Sequence, residues 1–315
     1  RNLKNILIDY FYAVGQRGER KEPGITAIQM KWRDLFVDIF GHSWKLPENM
    51  FVRYCYTENY YVDMKLLSGD SGIQKGLSLK LNAAFIERLE KVNDYALQFF
   101  RSTENIDKEN LMQIEKTELY SYLEQEISNV VDDDMTTYYL PAGRGNLSLL
   151  WNQWSYLNYN GIDLINRKFM QTVEFIRSKF DGGTMKLHHY FPREQRKFNV
   201  EEMCAEIIRG LKGEYFYTDG KEYIRINDGH VEIPINSASS GQQEILWLYN
   251  LLYVLMLRDE KSFVIIEEPE AHLYPILQKN ILDFITKYIN ITGSSAIITT
   301  QSHYILTEAN NLCVS

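Results

Sequence analysis

Apolar positions crowd toward the end of the chain. Ile245, Leu246, Leu248, Leu251, Leu252 and Leu255 recur closely enough to predict a largely buried helix, opened by the small-residue turn Ser239-Ser240-Gly241-Gln242. The next apolar run, Ser262-Phe263-Val264-Ile265-Ile266, is short, rich in β-branched residues and without alternation. It predicts a central parallel strand buried on both faces, ending in Glu267-Glu268-Pro269. A second strand, Ser295 to Thr300, ends in Gln301-Ser302-His303.

Upstream the pattern changes character. Leu3, Ile6, Leu7, Tyr10 and Phe11 share one helical side, a polar loop covers 15–24, and an amphipathic segment runs from Ile25 to Phe40. Residues 51–56 and 60–66 predict paired strands about Thr57-Glu58-Asn59, with tyrosines that either pack across the strands or reach a base. Residues 78–131 are mostly helical with a break at 102–107, and Asp132-Asp133-Asp134 is a solvated turn or a metal site. The strand Thr136 to Leu140 runs into Pro141-Ala142-Gly143-Arg144-Gly145. Two helices are expected from Leu147 to Phe180, joined near 158–161, and another over 199–212. Strands at 214–217, 223–226 and 231–235 follow, with hairpin turns at Thr218-Asp219-Gly220 and Asn227-Asp228-Gly229.

The polar punctuation carries the chemistry. In an open parallel sheet ligands sit beyond the carboxyl ends of strands, where Glu267, Glu268 and Gln301 emerge. Adjacent acids at such an end either form a solvated acidic turn or suit a cation and a polarised water, with Glu267 on Mg²⁺ and Glu268 on the attacking nucleophile. The helix start at Ser239, Ser240, Gly241 and Gln242 offers free N–H groups to a phosphate, or is an ordinary cap. Arg144 at a strand end either meets a phosphate or a partner's carboxylate, or forms a structural salt bridge.

Taken together, ASSGQQE, FVIIEEPE and ITTQSHYIL resemble the signature, Walker B strand and switch of an ABC-type ATPase head. EEPEAHLYPILQ is similar to the overcoming-lysogenization-defect (OLD) class and its PtuA-like defence relatives, an SMC-related branch of the AAA ATPases. The resemblance implies an α/β, P-loop NTPase head with a mostly parallel core sheet, an antiparallel β layer and a helical insertion. It implies ATP and Mg²⁺ as cofactors and a homodimer or higher oligomer closed around shared ATP. Ser239, Ser240 and Gly241 would touch the γ-phosphate in trans, and Glu270-Ala271-His272 would cross the dimer seam. Gln301 stands where the switch usually has histidine, with His303 two residues later as either a catalytic or a helix-start residue. Because Gln cannot be a cation, slow hydrolysis is expected.

No G-x-x-x-x-G-K-S/T occurs; Gly69 to Lys75 is the nearest decoy. A phosphate loop is therefore expected upstream of Arg1 and a further part beyond Ser315. Three segments are read: 1–77, the first part of the ATPase lobe; 78–198, a helical insertion including the P-A-G-R turn; and 199–315, the second part of the lobe with signature, Walker B and switch.

Composition narrows partners. A net charge of −8 argues against a general nucleic-acid coat and leaves the basic, aromatic stretch Lys186 to Lys197 as a local patch or a solvated loop. No apolar run is long enough to span a bilayer, so no membrane partner is expected. Cys55, Cys204 and Cys313 lie far apart without C-x-x-C spacing, which fits a reducing cytoplasm. The expected activity is an ATPase subunit of a prokaryotic anti-phage defence complex that controls a nuclease or toxin effector. The alternatives are a nucleotide-sensing scaffold with little hydrolysis and an SMC-type DNA-repair ATPase, the latter opposed by the lack of a long coiled coil.

Overall fold

The computed structural model describes residues 51–67, 76–103, 114–131, 135–150, 164–226 and 230–314, with residues 7, 8, 10–13, 15 and 30. The expectations for 15–24, 25–40, 69–75, 132–134, 158–161 and 227–229 fall wholly or mainly outside these. The chain divides into two compact units, Arg1–Asp134 and Met135–Ser315.

In the first unit β1 (Phe51–Cys55), β2 (Tyr61–Leu67) and β3 (Gly76–Leu81) form an antiparallel sheet in that order. Residues 78–81 were expected to be helical, but Gly-Leu-Ser-Leu-Lys-Leu alternates with period two and pairs with β2, Leu81 opposite Val62. The helical period starts only at α1 (Ala83–Ser102). A π-turn over Glu115–Leu119 leads into α2 (Tyr120–Ser128). Phe85, Leu89 and Val92 of α1 meet Leu119, Leu123 and Ile127 in a core of their own. Tyr56 and Tyr60 each set their rings edge-on to Phe85 at 5.8 Å, the packing alternative for these tyrosines.

The second unit holds the parallel sheet. β4 (Thr136–Leu140), β8 (Ser262–Glu267) and β9 (Ser295–Thr299) are ordered β4-β8-β9, all parallel, with Leu140 opposite Ile266 and Glu267 opposite Thr299. All three strands therefore deliver their carboxyl ends to one edge. β8 is central as expected, but it is buried on one face only: Ser262, Val264 and Ile266 are buried while Phe263 and Ile265 are half-buried. Between β4 and β8 come α3 (Arg144–Leu150), α4 (Leu164–Arg177), 3₁₀ turns at Ser178–Phe180 and Thr184–Tyr190, and α5 (Val200–Leu211). The antiparallel layer β5 (Glu214–Thr218), β6 (Lys221–Ile226) and β7 (Val231–Pro234) follows, then α6 (Ser240–Arg258). The β5–β6 hairpin turns on Asp219 and Gly220, both with positive φ, as a two-residue primed turn requires.

α6 is the core of this unit. It is buried without interruption from Glu244 to Leu257, so it is apolar on nearly every side and packs among α3, α4, α5 and α7 (Pro275–Thr292). Pro275 opens α7, and Gly293, at φ +68°, ends it ahead of β9. α8 (His303–Val314) closes the unit.

Candidate functional site

The three strand ends meet where the expectations placed chemistry. Glu268 follows β8 with φ +42°, and His272, four residues on, has φ +60°. Two non-glycine residues in the left-handed region cost roughly 1–2 kcal/mol each, strain that persists only where surrounding contacts over-determine the turn. Those contacts are present. Glu268 N–H donates to the Thr299 carbonyl at 2.9 Å, pinning the turn to the end of β9. Gln301 Nε2 donates to Glu268 Oε1 at 2.6 Å, so the residue at the switch position grips the candidate base directly.

Glu267 lies half-buried, and its Oε2 accepts the Ala142 N–H at 3.2 Å. That places it against the turn after β4 with Oε1 left for a hard cation. Among the described residues no group of three or more His, Cys, Asp or Glu side chains gathers around a metal position. This donor set fits Mg²⁺, which takes one or two carboxylates and completes its shell with water and phosphate oxygens.

Glu270 is buried, and its Oε1 accepts the Thr300 hydroxyl at 2.6 Å, the Gln301 N–H at 2.9 Å and the Ser302 N–H at 3.2 Å. It shapes the Gln301 turn from within its own subunit. Ala271 and His272 complete the carboxylate turn, with His272 exposed. Ser302 Oγ accepts the Tyr304 N–H at 3.1 Å and donates to Gln278 Oε1 at 2.6 Å. It thereby caps α8, and His303 sits in the first turn of that helix, exposed. The geometry brings Gln301, rather than His303, onto Glu268.

The small-residue turn lies beside these elements. Ser239 is the N-cap of α6 in a reciprocal box with Gln242: Gln242 N–H donates to Ser239 Oγ at 3.3 Å, and Ser239 N–H to Gln242 Oε1 at 3.1 Å. Gln242 Nε2 also donates to the Leu211 carbonyl at 2.8 Å, so its side chain is fully engaged in holding the turn. Ser240 is exposed, and the first-turn amides of Ser240 and Gly241 have no helical acceptor. Gly241 has a steric reason to be glycine: a Cβ there would stand 2.9 Å from the His272 carbonyl oxygen.

Arg144 is completely buried. Its Nε donates to the Glu244 carbonyl at 2.7 Å, Nη1 to Glu267 O at 2.9 Å and Pro141 O at 3.2 Å, and Nη2 to Glu268 O at 3.4 Å and Pro269 O at 3.5 Å. Burial lowers its pKa, and the charges of Glu244, Glu270 and Glu268 oppose that shift. All five of its donors thus go to backbone carbonyls, and its nearest carboxylate oxygen, Glu244 Oε2, lies 3.7 Å from Nε. Glu244, Thr300 and Ser302 lie inside the quoted motifs, but no contact with Arg144 or Glu270 was assigned to them from the sequence. A charged residue at position 244, at the start of a long apolar run, was the available signal for a buried cationic partner.

The basic stretch is occupied by the fold. Arg193 and Lys197 pair with Asp259 at 2.9 and 2.8 Å, while Arg196 donates to the carbonyls of Leu257, His188 and Phe191. These cations close the carboxyl end of α6, at the opposite end of the unit's long helix from Ser239.

A parallel sheet with helices, antiparallel layers and ligand-facing groups at one carboxyl edge is the α/β architecture of a P-loop NTPase head. Residues 82–307 match the family described as "AAA domain, putative AbiEii toxin, Type IV TA system". The match covers more than half of the chain, which therefore belongs to this AAA/ABC-type ATPase family. A search of curated proteins found no match. No helix among the described residues is long and apolar enough to cross a membrane.

Proposed function

We propose that the chain is the ATP-hydrolysing part of a defence ATPase in which Mg-ATP draws two copies together and the closed state controls a toxic or nuclease effector. The observation that carries this reading is the 2.6 Å bond between Gln301 and Glu268 at the ends of neighbouring parallel strands, with Glu268 held in a strained left-handed conformation. Strain of this kind, at a strand end facing a small-residue helix start, is a device for aiming a carboxylate.

In this reading Glu267 holds the cation and Glu268 orients water and takes its proton. Bound Mg²⁺ neutralises charge on the phosphate oxygens. Ser240 and Gly241, presented by the Ser239–Gln242 box, face a phosphate held by a second copy. Gln301 stands between the two tasks, since its amide reaches Glu268 and can also bond a phosphate oxygen. Glu270 and His272 shape the turn that meets that copy. The OLD-like and PtuA-like affinity, a cytoplasmic location and the effector belong to the same proposal, and the toxin–antitoxin description of the family supports a toxic partner.

A second reading, a nucleotide sensor with little turnover, is favoured by the same bond, because a carboxylate occupied by a neutral amide is slow to act as a base. Self-association of the full protein with Glu268→Gln tests the first reading: Mg-ATP should convert it to a stable dimer or larger assembly, since binding survives while hydrolysis stops. A mass that stays the same with and without Mg-ATP would sink the proposal.

A further inference from the structure

We infer that Arg144 is a positioning residue that ties the small-residue turn before α6 to the carboxylate turn after β8, so that a ligand engaged at the first is felt at Glu268. The inference rests on the nucleotide reading for its purpose, but its geometry stands independently. A guanidinium has five N–H donors in a rigid fork, and Arg144 makes five bonds, every one to a backbone carbonyl. Those carbonyls belong to three separate segments: Pro141 after β4, Glu244 in the second turn of α6, and Glu267 to Pro269 at and just beyond the end of β8.

The carboxylates nearby are arranged differently from an ordinary ion pair. Glu244 Oε2 lies 3.7 Å from Arg144 Nε and has no hydrogen-bond partner, and Glu270 Oε2 is buried and likewise unpartnered. The charge of Arg144 is thus shared among Glu244, Glu268 and Glu270 rather than sealed by one of them. Glu270 passes the connection onward, because its other oxygen holds Thr300, Gln301 and Ser302.

The carboxylate turn is gripped at both ends from α6. Arg144 links Glu244 of that helix to Glu268 and Pro269, and Gly241 of the same helix sits against the His272 carbonyl, too close to admit a Cβ. A shift of the amino end of α6, where Ser240 and Gly241 face their ligand, therefore moves both ends of the turn that aims Glu268. Packed polar elements of this kind transmit displacement because they do not deform continuously.

Lysine at 144 keeps the charge but has three donors on one point and cannot span the three segments. Hydrogen–deuterium exchange on the full protein carrying Arg144→Lys should show the amides of 268–273 exchanging at least about tenfold faster, with those of β5 and β6 unchanged. Phosphate release from ATP should fall at least about tenfold in kcat with KM nearly unchanged. Unchanged protection of 268–273, or a uniform increase throughout the unit, would overturn the inference. If the wild-type protein releases no phosphate, the ATPase reading fails, while the exchange result still decides the role of Arg144. If Arg144→Lys does not fold, Gly241→Ala probes the same coupling from the helix. It should loosen the same amides by displacing the His272 carbonyl, and intact protection there would also overturn the inference.

Discussion

Two arginines in the second unit are buried beside glutamates, and they are partnered in opposite ways. Arg177, at the end of α4, meets Glu222 of β6 through two bonds, Nε to Oε1 at 3.0 Å and Nη2 to Oε2 at 2.9 Å, and Tyr215 O–H donates to Oε1 at 2.5 Å. Its guanidinium also lies over the Trp247 ring, 5.5 Å from the centroid. Both carboxylate oxygens of Glu222 are used. Burial raises the Glu222 pKa, and Arg177 and Tyr215 act against that shift. Arg144 makes no bidentate pair, leaves Glu244 Oε2 orphaned and gives its donors to backbone. The first arrangement optimises a pair; the second sacrifices the pair to hold a strained turn. Incomplete satisfaction of buried polar groups is expensive, and it is found here beside the candidate reactive carboxylate.

The contrast makes graded predictions. Arg177→Met strands the Glu222 charge in the interior and should cost about 3–5 kcal/mol in denaturant unfolding. Adding Glu222→Leu should return much of that loss, because a well-packed apolar replacement of a buried pair is often near neutral. A loss below about 1 kcal/mol in the single variant would remove the distinction between the two arginines.

Gln301→Ala comes next. It deletes the bond to Glu268 and should reduce ATP turnover by about tenfold, the equivalent of roughly 1.4 kcal/mol, with little change in unfolding midpoint. A turnover increase would instead show that Gln301 restrains Glu268, as the sensor reading requires.

The smallest effect is expected at the far end of α6. Lys197 and Arg193 hold the Asp259 carboxyl below its ordinary value of 3.8. A depressed folded-state pKa contributes stability above pH 3.8 that is lost as the pH falls through the lower folded value. Asp259→Asn should therefore cost no more than about 1 kcal/mol near neutrality, because the pair is solvent-exposed. The difference from wild type should shrink in acid. A loss as large as that of Arg177→Met would mean that burial does not separate these clusters.

Much of this was legible before the fold. The β-branched run ending in Glu267-Glu268 announced a central strand, and the small-residue turn Ser239-Ser240-Gly241-Gln242 announced the start of α6, because both signals are local. The role of Arg144 was not legible, since its acceptors are backbone carbonyls as many as 125 residues away and carry no side-chain signature. The hold of Glu270 on residues 300–302 was not legible either, because it depends on the parallel register of β8 and β9. β3 was missed because its alternation is short and abuts the longer helical period of α1.

In the proposed function Glu268 is the group through which this site acts on ATP. The decisive measurement is phosphate release by the full protein, wild type against Glu268→Gln at saturating Mg-ATP. Magnesium-dependent release should fall by about a hundredfold or more in the variant, with ATP binding retained. Equal rates in the two proteins would contradict it.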